Sequence, residues 1–175
     1  MLSQRILAAL IALALPFTCS HALAASAVEQ DKERFYLPGP QASQLVGVSQ
    51  NGEAQAEVIV MTEAVAIKET GPKETVKKFG EVYAFAPSLL AVREGQPTRL
   101  TFWNLQPDDK HDFMLADPDG NVLMHIRLEP LSKTSYVFTF HKTGIYPFYC
   151  AVHQPEMNGQ ILVLPAKQSL SRSSR

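Results

Sequence analysis

Three side chains that can bind a soft metal ion lie close together near the C-terminal end of the chain. Cys150, His153 and Met157 fall within eight residues and offer a thiol, an imidazole and a thioether. Sulfur and imidazole donors together suit copper in both of its oxidation states, whereas carboxylates and water favour magnesium or calcium. One more imidazole would complete the set of two histidines, one cysteine and a weak axial methionine that is typical of copper sites for electron transfer.

His111 is the best candidate for the missing imidazole. It follows the turn Pro107-Asp108-Asp109 and begins a predicted strand that runs through Leu115. In a Greek-key sandwich, residues that are far apart in the chain meet at one end of the two sheets. The long separation between His111 and Cys150 is therefore compatible with a shared site.

Other residues could compete as donors. His141 lies at the predicted end of a strand, where an exposed imidazole is ordinary. His125 follows Met124 and could belong to a second Cu(I) site, but we expect a surface histidine beside core methionines. Glu156 could supply an axial oxygen in place of Met157, which would give a red or green site instead of a blue one.

The elements that must position these donors are predicted to be β-strands. From about residue 79 to residue 165 the chain consists of short β-rich runs separated by turns, which predicts an all-β Greek-key β-sandwich. Because side chains alternate along a strand, Tyr146, Phe148 and Cys150 share one side, and Cys150 should end its strand on the inward face. The predicted strands are Val82–Phe85, Leu89–Val92, Thr98–Asn104, Asp112–Leu115, Ser135–Phe140, Ile145–Cys150 and Gln160–Leu164.

The first 24 residues read as a secretory signal peptide. Arg5 supplies the positive start, an apolar run follows, and Ala22-Leu23-Ala24 is a cleavage site of the A-x-A type. Cys19 raises the alternative of a lipoprotein, although Pro16-Phe17-Thr18 is not the small, aliphatic context that such processing favours. We therefore expect a periplasmic protein in which Cys150 is the only thiol, placed in a compartment that oxidises thiols.

Residues 25–78 form a predicted N-terminal extension that is polar and rich in turns. Within it, Glu57 to Ile67 fits either a strand or one face of a helix, and we favour a strand added to the edge of the main sheet. Residues 79–165 are the predicted β-domain. Residues 166–175 are serine-rich and basic, so we expect a disordered tail.

Composition argues against several classes of function. The formal net charge of −1 becomes −2 after cleavage, because Arg5 is the one charged residue removed, and such a chain is not suited to nucleic acid. The sequence contains no Ser/His/Asp order, no paired carboxylates on a helix and no phosphate loop in the required context, so we expect no enzyme. We also expect a monomer with no membrane span in its mature form.

The motif resembles a known family. The pattern is a distant histidine before a strand, then aromatic-x-Cys-x-x-His, a short loop, and Met-x-Gly leading into the last strand. Over residues 82 to 164 it resembles the cupredoxins, the type 1 copper proteins that include plastocyanin, amicyanin and pseudoazurin. The resemblance implies one copper ion cycling between Cu(I) and Cu(II), with His111 and His153 as equatorial ligands, Cys150 as the thiolate and Met157 as the weak axial ligand. It also implies that redox partners dock near His153.

Two positions depart from the family pattern. Three residues separate His153 from Met157, which is one fewer than in plastocyanin and one more than in amicyanin. The residue after the first histidine is usually asparagine and here is Asp112, which changes the surroundings of the ligands. A binuclear copper site of the kind found on the same fold needs two cysteines in the loop, and this loop has one.

The leading functional expectation is a one-electron carrier between redox partners. The alternative is a copper-handling protein for tolerance, storage or delivery that uses the same ligands, and the acidic N-terminal extension is the feature that favours it. Two further readings are a metal-free interaction module and a redox enzyme with an open copper position.

Overall fold

The structure is a computed structural model that describes residues 35–167. The signal peptide, Cys19 and residues 168–175 of the predicted tail lie outside these residues, so they stay predictions. The described helices are too short and too polar to cross a membrane.

Ten strands in the described part of the chain build two five-stranded sheets. In chain order the elements are a 3₁₀ turn at Ala42–Gln44, β1 (Val46–Ser49), β2 (Ala56–Ala66), α1 (Lys73–Phe79), β3 (Val82–Ala86), β4 (Leu89–Arg93), β5 (Thr98–Asn104), β6 (His111–Ala116), β7 (Val122–Leu128), β8 (Ser132–Phe140), β9 (Gly144–Tyr149) and β10 (Asn158–Leu164). The first sheet has the order β1-β8-β5-β2-β3, and the second has the order β4-β10-β9-β6-β7. The expected all-β sandwich is confirmed.

The chain changes sheet between β3 and β4. β3 is an edge strand of the first sheet, whereas β4 is an edge strand of the second and runs parallel to β10. Only Pro87 and Ser88 separate the two strands. The Ser88 carbonyl accepts a hydrogen bond of 2.7 Å from the Gln160 amide, which ties the crossing to β10.

Aromatic side chains fill the space between the sheets. Phe113 of β6 packs against Phe102 and Phe148, with ring centroids 4.5 Å and 5.1 Å apart. All three rings are almost fully buried. Interlocking rings of this kind resist movement, because protein interiors are packed at the density of organic crystals. The strands that carry His111 and Cys150 are therefore anchored in a rigid core.

The N-terminal region contributes more to the sandwich than its sequence predicts. The segment predicted over Glu57 to Ile67 is a strand, β2, but its expected place at the edge of the sheet is wrong. β2 lies between β5 and β3 and pairs with both, and the added edge strand is β1, beside β8. Both β1 and β2 lie within the predicted N-terminal extension, so this extension supplies two strands of the first sheet.

Besides β1 and the 3₁₀ turn, two further elements are missing from the sequence prediction. β7 was not predicted because His125 and Arg127 interrupt its apolar residues, yet His125 is buried. The short helix α1 was also not predicted, and it begins directly after Pro72. Pro147 is compatible with the interior strand β9. The pairing of β9 with β6 covers only Phe148 and Tyr149, so no ladder hydrogen bond is lost for want of an N–H at Pro147.

Candidate metal site

Three of the four predicted ligands meet at one end of the sandwich. His111 begins β6, Cys150 follows β9, and β6 and β9 are neighbours in the second sheet. His153 lies in the loop between β9 and β10. The donor atoms of these three residues all lie within 4.8 Å of one another. Nδ1 of His153 is 3.1 Å from Nδ1 of His111 and 3.5 Å from Sγ of Cys150.

The fourth predicted ligand, Met157, lies at the end of the same loop. The Cys150 amide donates to the Met157 carbonyl at 2.9 Å, and the Met157 amide donates to the His153 carbonyl at 3.0 Å. Gln154 closes the loop further, since its Nε2 donates to the Cys150 carbonyl at 2.9 Å. Met157 is completely buried. The loop backbone therefore holds Met157 beside Cys150 and His153.

The protonation of the imidazoles leaves their lone pairs available. Burial, together with the neighbouring His153, lowers the pKa of His111 to about 4. Burial also lowers the pKa of His153, although surrounding carboxylates, Asp109 first among them, act in the opposite direction. Both rings are therefore neutral at pH 7, which is the state that binds a metal ion.

The pKa of the Cys150 thiol shifts in the opposite direction. Burial raises the pKa of Cys150, and the amide N–H of Asp112, which lies 3.3 Å from Sγ, opposes this effect. Cys150 therefore keeps its proton until a metal ion displaces it.

The donor set fits one copper ion. Two neutral imidazoles and one thiol lie close together, and the buried Met157 follows in the same loop with a thioether side chain. This mixture of soft sulfur and borderline nitrogen matches copper better than magnesium or calcium, which prefer oxygen ligands. The His111 ring is completely buried, whereas His153 is partly exposed.

The sheet order and the position of the donors together determine the type of fold. Two five-stranded sheets enclose an aromatic core, the chain switches sheets between β3 and β4, and the His-Cys-His group lies where β6, β9 and the β9–β10 loop meet. The fold is the all-β sandwich with a donor group at one end that the sequence predicts. The expectation drawn from the motif is confirmed at this level.

Comparisons with solved structures return auracyanins and amicyanins of low sequence identity. Auracyanin B is 19% identical with a TM-score of 0.48, over 70% of this chain and 99% of that chain. Auracyanin from Roseiflexus castenholzii is 17% identical with a TM-score of 0.48, over 65% and 100%. Amicyanin from Paracoccus versutus is 16% identical with a TM-score of 0.44, over 68% and 97%. No protein-family model and no curated protein matches the sequence.

Tyr83 also contacts the candidate site, although nothing in the sequence singles it out. Its ring contacts both imidazoles, with centroids 5.0 Å from His111 and 4.5 Å from His153. Its hydroxyl donates to Asp109 at 2.5 Å, and burial and this carboxylate raise the pKa of Tyr83, so the hydroxyl keeps its proton. Alternation in β3 indicates that Tyr83 faces inward, but only the fold shows that it faces the histidines.

The competing donors lie elsewhere. The prediction that His125 is a surface residue is wrong, because it is 1% exposed, and its Nε2 lies 3.2 Å from Oδ1 of Asp112. His141 is exposed beside Gly47, and Glu156 is exposed in the loop. Within residues 35–167, His111, Cys150 and His153 form the one group of three or more such donors.

Proposed function

We propose that this chain is an exported mononuclear copper protein that carries single electrons, with His111, Cys150, His153 and Met157 as its ligands. The observation that carries the proposal is the convergence of Nδ1 of His111, Sγ of Cys150 and Nδ1 of His153 on one point. When bound there, copper supplies the ability to accept and release one electron. The remaining chemistry belongs to the residues that hold the ion.

The frame around the ligands favours fast electron transfer. His111 and Cys150 lie at the ends of neighbouring strands, and the core rings Phe113 and Phe148 follow and precede them by two residues. Because these rings pack against each other, the two ligands are held in place before any metal binds. A site that does not rearrange between Cu(I) and Cu(II) has a low barrier to electron transfer.

His153 is the proposed route for the electron. It is partly exposed, whereas His111 and Cys150 are completely buried. Val152, next to it, is 63% exposed and provides apolar surface for a partner protein. We propose that protein redox partners dock at this surface, and that the predicted signal peptide delivers the chain to the periplasm where they meet.

Copper loading of the purified protein tests the proposal. We expect an intense thiolate-to-copper charge-transfer band, a single copper signal in electron paramagnetic resonance, and reversible reduction by one electron. Cys150→Ser should abolish the band, and His141→Ala, a histidine outside the donor group, should leave it unchanged. Copper binding without the band, or a band that survives in Cys150→Ser, would contradict the ligand assignment.

A second measurement separates electron transfer from copper handling. An electron carrier retains its ion in both oxidation states, because the rigid site binds both. The reduced and oxidised proteins should therefore both keep copper when challenged with a soluble chelator. Rapid loss of copper on reduction would instead show that the chain delivers the ion.

A further inference from the structure

A buried carboxylate lies beside the proposed copper ligands. Asp112 follows His111 in β6, and its direct partner across the β6–β7 ladder is Arg127. His125, two residues before Arg127, is the diagonal neighbour on the same face, within reach of a side chain. Nε2 of His125 lies 3.2 Å from Oδ1 of Asp112, whereas the Arg127 side chain is exposed. The imidazole is therefore the group that faces the carboxylate.

Each member of this pair depends on the other. Both residues are buried, His125 at 1% exposure and Asp112 at 8%. Within residues 35–167, His125 is the one residue with a side-chain nitrogen within 4 Å of this carboxylate, and neither ring nitrogen of His125 makes a well-aligned hydrogen bond. A buried carboxylate without a partner is costly, because it loses its hydration and gains nothing in return.

The N-terminal segment fixes His125 from the other side. The amides of Tyr36 and His125 each donate to the carbonyl of the other residue, both at 2.9 Å. The Tyr36 ring meets the imidazole edge to face, with centroids 6.3 Å apart. His125 is thus held by its own strand, by Tyr36 and by Asp112, which restricts its rotation.

Asp112 also contacts the thiol directly. Its amide N–H donates to Sγ of Cys150 at 3.3 Å. The same residue therefore joins His125, through its side chain, to Cys150, through its backbone. Because both contacts belong to one residue, a displacement of Asp112 would change them together.

We propose that His125 is a positioning residue for the Cys150 thiolate, acting through the carboxylate and the amide N–H of Asp112. This inference rests on the proposed function insofar as it concerns the copper potential. The amide N–H draws negative charge from the sulfur, which favours Cu(I) over Cu(II). An unpaired carboxylate nearby has the opposite effect, because it favours the more positive ion.

A thermodynamic cycle of variants tests the proposal in the copper-loaded protein. His125→Leu should lower the reduction potential and shift the thiolate-to-copper band. Asp112→Asn removes the charge of the carboxylate, so adding His125→Leu to this variant should produce no further shift of the reduction potential. His141→Leu is the matched control and should leave the potential unchanged. A potential that is unchanged in His125→Leu, or that shifts equally in both backgrounds, would overturn the proposal.

A second variant and a second measurement keep the test decisive. If His125→Leu fails to fold, His125→Asn takes its place, since its amide still faces the carboxylate, and a smaller fall in potential is expected. Hydrogen exchange of the Asp112 amide in the copper-free protein should accelerate in either variant, and unchanged exchange would overturn the proposal. This measurement needs no copper, so it distinguishes failure of the inference from failure of the proposed function.

Discussion

Gly159 lies where the structure leaves no room for a side chain. It pairs with Phe148 across the β9–β10 ladder. A Cβ atom at this position would lie 2.2 Å from Cζ of Phe148 and 2.3 Å from the Ser88 carbonyl oxygen. Both distances are far shorter than van der Waals contact, so Gly159→Ala must displace the ring, the backbone or both.

The loss of stability in Gly159→Ala depends on which groups must move. Overpacking a core by one methyl group costs about 1–3 kcal/mol, and the contact on two sides of Gly159 places this case at the upper end. The Ser88 carbonyl also accepts the 2.7 Å hydrogen bond from Gln160, and its displacement costs about 1 kcal/mol more. We therefore expect a loss of about 3–4 kcal/mol, equivalent to a fall of roughly 10–15 °C in Tm for a domain of this size.

Denaturant and thermal unfolding of the metal-free protein measure this loss. Gly39→Ala is the matched control, because a Cβ there meets nothing within 4 Å, and its stability should change by less than about 1 kcal/mol. Phe148 and Cys150 share a face, so Gly159→Ala should also shift the thiolate-to-copper band of the loaded protein. A Gly159→Ala variant within about 0.5 kcal/mol of the parent protein would refute the packing argument.

Three further predictions concern protons and hydrogen bonds. Copper binding at pH 7 should release one proton, because burial raises the pKa of Cys150 while both histidines are already neutral. Titration with copper in weak buffer measures this proton release, and Cys150→Ser should abolish it. Tyr83→Phe should lower the free energy of unfolding by about 1–2 kcal/mol, because the variant loses the hydrogen bond to Asp109, and its copper spectrum should not change. Tyr83→Ala should broaden the copper spectrum, because both imidazoles lose their contact with the ring. Burial acts to raise the pKa of Asp117, but hydrogen bonds from Asn121 and its neighbours outweigh burial and hold this pKa below 3.8. The stability that this carboxylate contributes is therefore present above pH 3.8 and is lost as the pH falls through its folded pKa. The free energy of unfolding of Asp117→Asn should depend less on pH in that range.

The candidate ligands in the loop could be predicted because their relationship is local. Cys150, His153 and Met157 lie on one strand end and one short loop, so their spacing in the sequence already limits their distance in space. The inward direction of Cys150 followed from the alternation of Tyr146 and Phe148, and all three are completely buried. His111 needed one more step, a turn followed by a strand, and the structure brings it to the same group.

The elements that failed in prediction depend on partners far away in the chain. The residues of β2 fit a strand or a helix face and favour the strand, but its place between β5 and β3 depends on which strands pair with it. A strand at an edge and a strand inside a sheet can have the same alternation, so the sequence pattern alone does not distinguish them.

The sequence by itself determined the donor types, their order and the β character of the domain, because these depend on residue chemistry and on local periodicity. Only the tertiary structure decided that Tyr83 packs on both imidazoles, that His125 is buried, and that Asp112 contacts both His125 and Cys150. These contacts join separate strands, and the pairing of strands is selected by the burial of the whole core rather than by any single segment.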